Sequence, residues 1–305
     1  MQYSTLQYGI LHSSPPRQEH SKLFWSISFL DKFYGPQNLV PTVSDDIGAP
    51  RFSTVAAGQG YSLVPCPPLP QGSSTVLRYI WAHTVKICSL WGDVKLYVSN
   101  SFEGVTSLPP WQPNSDYVGI CSPLMDLETA HPTSLSYNTV SFPDRSPQEV
   151  QDNRVDWFPW LGVQVTYHAI HCVLNHPFLY SAMASKQRLG SNTFWRALSE
   201  RALRHSTWVS RLIRMAVEKG LKLADPFFAQ AAAIAGSIQL YWIRADDAGL
   251  RASTLTNLHI CTTLITDMSE HLPVCRSIVS HSSHHIHLSN ADPVARQGEC
   301  LVRVR

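Results

Sequence analysis

The side chains best suited to chemistry crowd into one stretch, YHAIHCVLNHPF, which holds His168, His171, Cys172 and His176. Imidazole nitrogens and thiolates are the donors zinc prefers. On a helix, His168 shares a face with His171 at i+3 and with Cys172 at i+4, a spacing compatible with ligation. His176 stands five positions past His171 and points elsewhere. No acidic HExxH partner accompanies the histidines, and no second ligand pair is visible along the chain. The residues are therefore read as helix and core histidines, and no metal ligand is assigned. His281, His284, His285 and His287 form a second group, but nothing in their tail-like setting fixes a geometry.

Catalytic patterns are missing as well. The chain has no GxSxG elbow, no P-loop, no GxGxxG after a strand and no context that singles out a reactive cysteine. Asp45-Asp46 and Asp246-Asp247 are adjacent carboxylates, and neighbours in sequence point apart on a helix or strand, so neither pair makes an acid/base couple. Arg196, Arg201, Arg204, Arg211 and Arg214 lie on one polar helix face, interleaved with Glu200 and followed by Glu218. This is a solvated face rather than a phosphate-binding one, and a dense basic run of the nuclear-localisation kind is lacking. Catalytic residues: none; DNA-binding residues: none. A non-enzyme is expected.

Composition narrows the class further. The 305 residues are 44% apolar, which excludes disordered and collagen-like chains, yet only 15% charged, against roughly 25% in an average soluble protein. That shortage points to a large buried fraction or a partner face. The formal net charge of +2, from 24 Lys+Arg and 22 Asp+Glu, does not by itself argue for nucleic acid. The seven cysteines, Cys66, Cys88, Cys121, Cys172, Cys261, Cys275 and Cys300, come no closer than 14 positions apart, so CxxC pairs are absent and reduced thiols are expected. The N-terminus lacks a signal-peptide pattern. The apolar run Phe227 to Ile243 is short for a span, leans on alanine and is interrupted by Gln230, Ser237 and Gln239; a buried helix explains it better than a membrane segment.

The elements that must position these residues are helical. Apolar residues at Leu23, Phe24, Ile27, Leu30 and Tyr34 mark one helix face, stopped by Gly35-Pro36. A second helix is expected from Thr75 to Val98, with Ser73-Ser74 as caps. Residues 35–72, including VPCPPLPQG, and residues 99–145 are expected to be two long Pro-rich connections, the latter with a short helix through Tyr117–Glu128. Ser146-Pro147-Gln148-Glu149 has the order of a helix start. Leu161–Leu174 is apolar on nearly every side, with Pro177 as its stop. Phe194–Val217 is amphipathic, with His205 on its apolar stripe. Phe227–Ile243 follows Asp225-Pro226, and Leu250–His271 is stopped by Pro273. The expected fold is all-α, an irregular multi-helix domain over residues 1–279 with a loose tail at 280–305.

Five segments, in order, resemble the regulatory (middle homology) region of fungal binuclear zinc-cluster transcription factors. SKLFWSISFLDKFYG (21–35) resembles the family's FWxxxxLDRxxG signature, and VSDDIGAP (43–50) its acidic-Ile-x-x-Pro loop. PWQPNSDY (110–117) is similar to its Trp-then-Ser stretch, and VTYHAIHCVLNHPFLYS (165–181) to its LxYHxxxILLHRPFL helix. ADPFFAQAAAIAGSIQLYW (224–242) is similar to its NPFxxYxxxxAAxIHL helix. The resemblance implies structural roles for Phe24, Trp25, Asp31, Tyr167, His168, His176, Pro177, Phe178, Pro226 and Phe227. Aromatic anchors would pack the signature helix, Asp31 would cap or pair with a base, and Pro177 would end a helix anchored by Tyr167 and Phe178.

The departures matter too. The six-cysteine module that holds two zinc ions in the family has no counterpart, so no zinc cofactor is expected. The family's arginine pair before FW is Ser21-Lys22, and His176-Pro177 lacks the intervening Arg. Met1 falls just before the signature and the tail beyond about 280 is foreign to the family, which suggests a truncated or altered gene product. The resemblance implies a nuclear transcription regulator, cytoplasmic otherwise, acting through its regulatory domain on a pathway such as a secondary-metabolite cluster. Expected partners are a homodimer or a full-length zinc-cluster regulator, a small effector, and DNA only indirectly or through a missing N-terminal module; no membrane. The alternatives are a stand-alone interaction or ligand-sensing protein that modulates such a regulator, and, third, a metal-dependent enzyme built on His168, His171 and Cys172.

Overall fold

The computed structural model describes residues 27–35, 75–104, 108–129, 135–177, 179 and 193–276. Among them every regular element is helical, as the periodicity predicts. We number the helices α1 (27–34), α2 (Thr75–Glu103), α3 (Asp116–Thr129), α4 (Tyr137–Val140), α5 (Pro147–Asp152), α6 (Arg154–Leu174), α7 (Thr193–Glu218), α8 (Pro226–Trp242) and α9 (Ala248–His271). A 3-10 turn, Phe142–Asp144, joins α4 to α5.

Side-chain caps set several of the starts. Ser146 accepts from the Glu149 backbone N–H at 3.1 Å with Pro147 at the first helical position, as the Ser-Pro order predicts. Asp225 accepts from Phe227 N at 2.9 Å ahead of Pro226, and Asp247 from Leu250 N at 2.9 Å. The Asp246-Asp247 pair is thus a helix entry and not a chemical couple. Gly220, at φ +74°, lets the chain leave α7 in the left-handed turn from which Leu221 N donates to Ala216 O at 2.9 Å.

Four expectations need correction. Ile27, Leu30 and Tyr34, read as the apolar face of the first helix, are exposed, and Phe29 and Phe33 pack against the core instead. Helix α2 continues to Glu103, because the polar Ser99–Glu103 turn extends it without a Pro or Gly until Gly104 at φ +76°. Much of 99–145, expected as a long loop, is built from α3, α4 and the 3-10 turn. Ser136, whose side chain accepts from Thr139 N, and Ser141, in the left-handed conformation, make these local turns. The end of α6 falls at Asn175 and not Pro177: the Asn175 amide donates to His171 O at 2.7 Å and caps the helix two residues early. The 35–72 connection, apart from Gly35, the Ser73-Ser74 cap, Asp45-Asp46, VSDDIGAP and the 280–305 tail lie outside the described residues, as do Phe24, Trp25 and Phe178.

Helices α6, α7 and α8 pack against one another at the centre; α9 covers α7 and α8, and α2 lies on α6 with α3 beside it, Tyr117 and Glu128 of α3 reaching α6. Trp91, Phe142, Leu161, Ile170, Leu212 and Ile238 are fully enclosed. Helix α8 carries Ala229, Ala231, Ala232, Ala235 and Gly236 on buried positions, so its axis approaches α9 closely. The Gln239 side chain that interrupts this helix is also buried: its amide donates to Ser206 Oγ at 2.8 Å and ties α8 to α7. Among the described residues no helix is long and apolar enough to cross a membrane.

Candidate functional site

Helix α6 presents two different surfaces. Its C-terminal half carries the histidines. His168 Nδ1 lies 2.9 Å from His205 Nδ1 of α7, a distance at which one nitrogen donates and the other accepts. His171 stacks on the same His205 ring with centroids 4.0 Å apart and planes 22° apart. His168 lies parallel to the Trp208 indole at 5.5 Å. The Tyr167 ring stands edge-on to His168 and His171 at 5.1 and 4.8 Å, and its hydroxyl donates to Glu128 of α3. The same carboxylate lies 3.5 Å from His171 Nε2.

Burial dominates the electrostatics here. It holds the His168 pKa down to about 3, helped by the neighbouring His171. His171 is lowered to about 4 by burial, against the pull of Glu128. His205 is lowered by burial and then by His171 and His168. Burial and the Glu128 acceptor raise the Tyr167 phenol. Burial thus favours the neutral form of all three rings; one hydrogen bond joins His168 to His205, and His171 contributes by stacking. Among the described residues no group of three or more His, Cys, Asp or Glu is placed to hold a metal ion. Cys172, on the same α6 face, is buried toward Cys261 and its thiol is pushed up by burial. His176 diverges, as the spacing predicts: its Nε2 sits 2.9 Å from Ser237 Oγ on α8.

Sequence reasoning missed His205 as a partner because it lies on another helix, 37 residues away. The available signal was a histidine set on the otherwise apolar stripe of α7. The arginine face of that helix is solvated: Arg196 and Arg214 pair with Glu200 and Glu218 at 3.0 and 3.7 Å, and Arg211 lies 4.9 Å over the Trp208 ring.

The N-terminal half of α6 faces a cavity of about 280 Å³ shared with α1, α2 and α8. Phe29 and Phe33 come from α1, Ile87 and Cys88 from α2, Phe158, Pro159 and Gly162 from α6, and Phe227 and Phe228 from α8. Phe227 joins the walls: its ring meets Phe33 at 4.7 Å and Trp91 at 5.2 Å, both edge-on. At the rim the Tyr34 hydroxyl donates to Asp225 and accepts from Phe227 N at 3.2 Å. Burial, with Asp225 as its first neighbour, raises the Cys88 thiol.

Lys95 holds α1 in place. Its ammonium donates to the carbonyls of Lys32 and Gly35 at 3.1 and 3.0 Å, satisfying the C-terminal end of the helix. Asp31 adds its charge to the same lysine. At Gly35 a Cβ would sit 2.4 Å from Asp31 O, so only glycine closes this helix. The first and last segments of the family resemblance, around Tyr34 and around Asp225–Phe227, are therefore in contact.

Pro159 and Gly162 are costly residues for the body of a central helix, about 3 and 1 kcal/mol worse than alanine in a helix interior. Both line the cavity. A Cβ built on Gly162 meets nothing within 4 Å, so packing does not demand the glycine.

Comparison with known proteins finds similarity to fungal transcription factors. The chain is 23% identical over 203 residues to the Zn(2)-C6 fungal-type transcription factor FTF1c of Fusarium oxysporum f. sp. lycopersici, covering 64% of this chain and 20% of that protein. It is 21% identical over 181 residues to FTF2 and 22% identical over 181 residues to FTF1a of the same organism, covering 58% of this chain and 16% of each relative. The chain thus spans a fifth or less of the length of these curated relatives. No family model matches. No solved structure matches either.

Proposed function

We propose that this chain is a transcription regulator that acts through an all-α regulatory domain of the fungal zinc-cluster type, in the nucleus, on a specific pathway. The carrying observation is the similarity to three Zn(2)-C6 transcription factors over about three-fifths of the chain. The contact between the segments around Tyr34 and Asp225–Phe227 supports it, since two motifs of the resemblance, 191 positions apart, build one junction. In this reading Asp31, Tyr167, His168, His176, Pro177, Pro226 and Phe227 are structural, as are Phe24, Trp25 and Phe178 outside the described residues. None is catalytic.

With no CxxC pair in the sequence, zinc-dependent reading of DNA would be supplied by another module or by a full-length regulator as partner, whether or not the chain also pairs with a second copy. The purified chain is expected to hold no stoichiometric zinc and to show no sequence-specific DNA binding of its own. Metal analysis together with a salt-controlled DNA titration checks this; stoichiometric zinc with tight, sequence-specific binding would overturn it. A second reading, an effector-sensing protein that modulates such a regulator without touching DNA, is favoured by one observation, the apolar cavity beside α1.

A further inference from the structure

We infer that the cavity between α1, α2, α6 and α8 is a binding site for a flat, uncharged aromatic molecule of one or two fused rings bearing a hydroxyl or N–H donor. Size comes first. The cavity of about 280 Å³ is nearly twice the roughly 150 Å³ that accommodates benzene in an engineered protein core, and near the lower end of ordinary ligand pockets.

The lining sets the chemistry. Phe29, Phe33, Phe158, Phe227 and Phe228 offer ring faces and edges to an aromatic guest. Among the described residues no Lys, Arg or His lines it. Its carboxylate, Asp225, is engaged by the Tyr34 hydroxyl and the Phe227 N–H. A charged ligand would lose its water without gaining a partner.

The hydroxyls narrow the choice further. Thr84 and Thr166 donate to Ile80 O and Gly162 O at 2.9 and 2.7 Å, and Tyr34 donates to Asp225. Their protons are committed, while oxygen lone pairs remain as acceptors. The site therefore favours a guest that donates, such as a phenol or an indole, over one that only accepts.

Gly162 is the independent observation. Open space lies where its side chain would be, in a central helix that alanine or leucine at this position would strengthen. A position left empty at a cost to the helix, on the wall of a half-open apolar space, marks room kept for a guest. Such a guest would touch Phe33 of α1 and Phe227 of α8 together, so occupancy would tighten the seating of α1. That last consequence alone rests on the regulatory reading; binding does not.

The experiment uses 2-naphthol as the probe and the whole purified chain, with calorimetric titration and thermal melting as readouts. Saturable binding at one site per chain is expected, with a rise in Tm. 2-Naphthoate, the same rings with a carboxylate, is expected to bind at least about tenfold more weakly. Gly162→Leu should abolish binding while Tm holds or rises. Gly119→Leu, at an exposed glycine of α3 with equally open surroundings, should bind as the parent does. If Gly162→Leu does not fold, Gly162→Ala should still weaken 2-naphthol about threefold. Equal binding by the Gly162 variant, equal binding of 2-naphthoate, or no saturable uptake by the folded parent chain would overturn the proposal. Loss of self-association in Gly162→Leu, with no 2-naphthol uptake by the parent, would assign the space to a second copy and overturn it as well. Failure here leaves untouched the reporter activity expected when the chain is fused to a heterologous DNA-binding domain, so the two readings fail separately.

Discussion

The two halves of α6 solve burial in opposite ways. Around Tyr167, His168 and His171 the helix meets α7 through polar rings, each fitted to a partner at hydrogen-bond or stacking distance. Around Phe158, Pro159 and Gly162 it meets α1, α2 and α8 through apolar groups that leave a cavity of about 280 Å³. A buried imidazole without a partner loses its solvation outright, so a polar junction must close. An apolar wall loses only dispersion contacts when it faces empty space, so it tolerates a void that a guest can fill. Chemistry-bearing residue types thus mark the structural joint, and the plainer half of the helix holds the candidate site.

Substitutions should separate the halves by size and by sign. The largest effect is expected at Phe227, where the two signature segments meet: Phe227→Ala should cost about 3–5 kcal/mol in denaturant unfolding. His205→Ala removes a ring packed on His168 and His171 and orphans a buried nitrogen, and should cost about 2–3 kcal/mol in the same measurement.

Acid should act on the histidine half alone. His168, His171 and His176 hold folded-state pKa values of about 3, 4 and 4, below the unfolded value of 6.5. Between these limits the unfolded chain binds more protons, so stability rises with pH and is lost as pH falls from about 6.5 toward 4. The slope is up to about 1.4 kcal/mol per pH unit for each histidine and flattens below about pH 3. Melting curves from pH 7 to 4 check this; His205→Gln, which removes a further histidine with a lowered pKa, should flatten the slope, and Gly162→Ala should leave it unchanged.

The smallest effect carries the opposite sign. Gly162→Ala should stabilise the chain by about 0.5–1 kcal/mol, read as a higher Tm, since the added methyl meets open space and improves the helix. Destabilisation there would erase the contrast between the halves.

Local signals were well represented in the sequence. The stripe through Leu198, Ala202, Val209, Leu212 and Ala216 is the inward face of α7, and Ser146, Asp225 and Asp247 mark helix starts through side chains that act within three residues of themselves. Helix ends set by longer reach were not legible: Asn175 caps α6 before Pro177, and Lys95 closes α1 from 60 residues away. The histidine pairing escaped because periodicity relates neighbours on one helix, while His168 and His205 meet across two. Nor does a glycine in a helix announce whether a neighbour or open space lies beside it; a Cβ added at Gly236 would meet Cys261 and Leu258 at 3.6 Å in ordinary contact, whereas one added at Gly162 would meet nothing within 4 Å.

The central claim, a regulator acting through this helical domain, is tested most directly by fusing residues 1–305 to a heterologous DNA-binding domain and measuring a reporter in fungal nuclei. A change of several-fold from the DNA-binding domain alone, up or down, and its loss in Phe227→Ala, are the predicted results. Reporter output equal to that of the DNA-binding domain alone, from a fusion shown to be folded and nuclear, would contradict the claim.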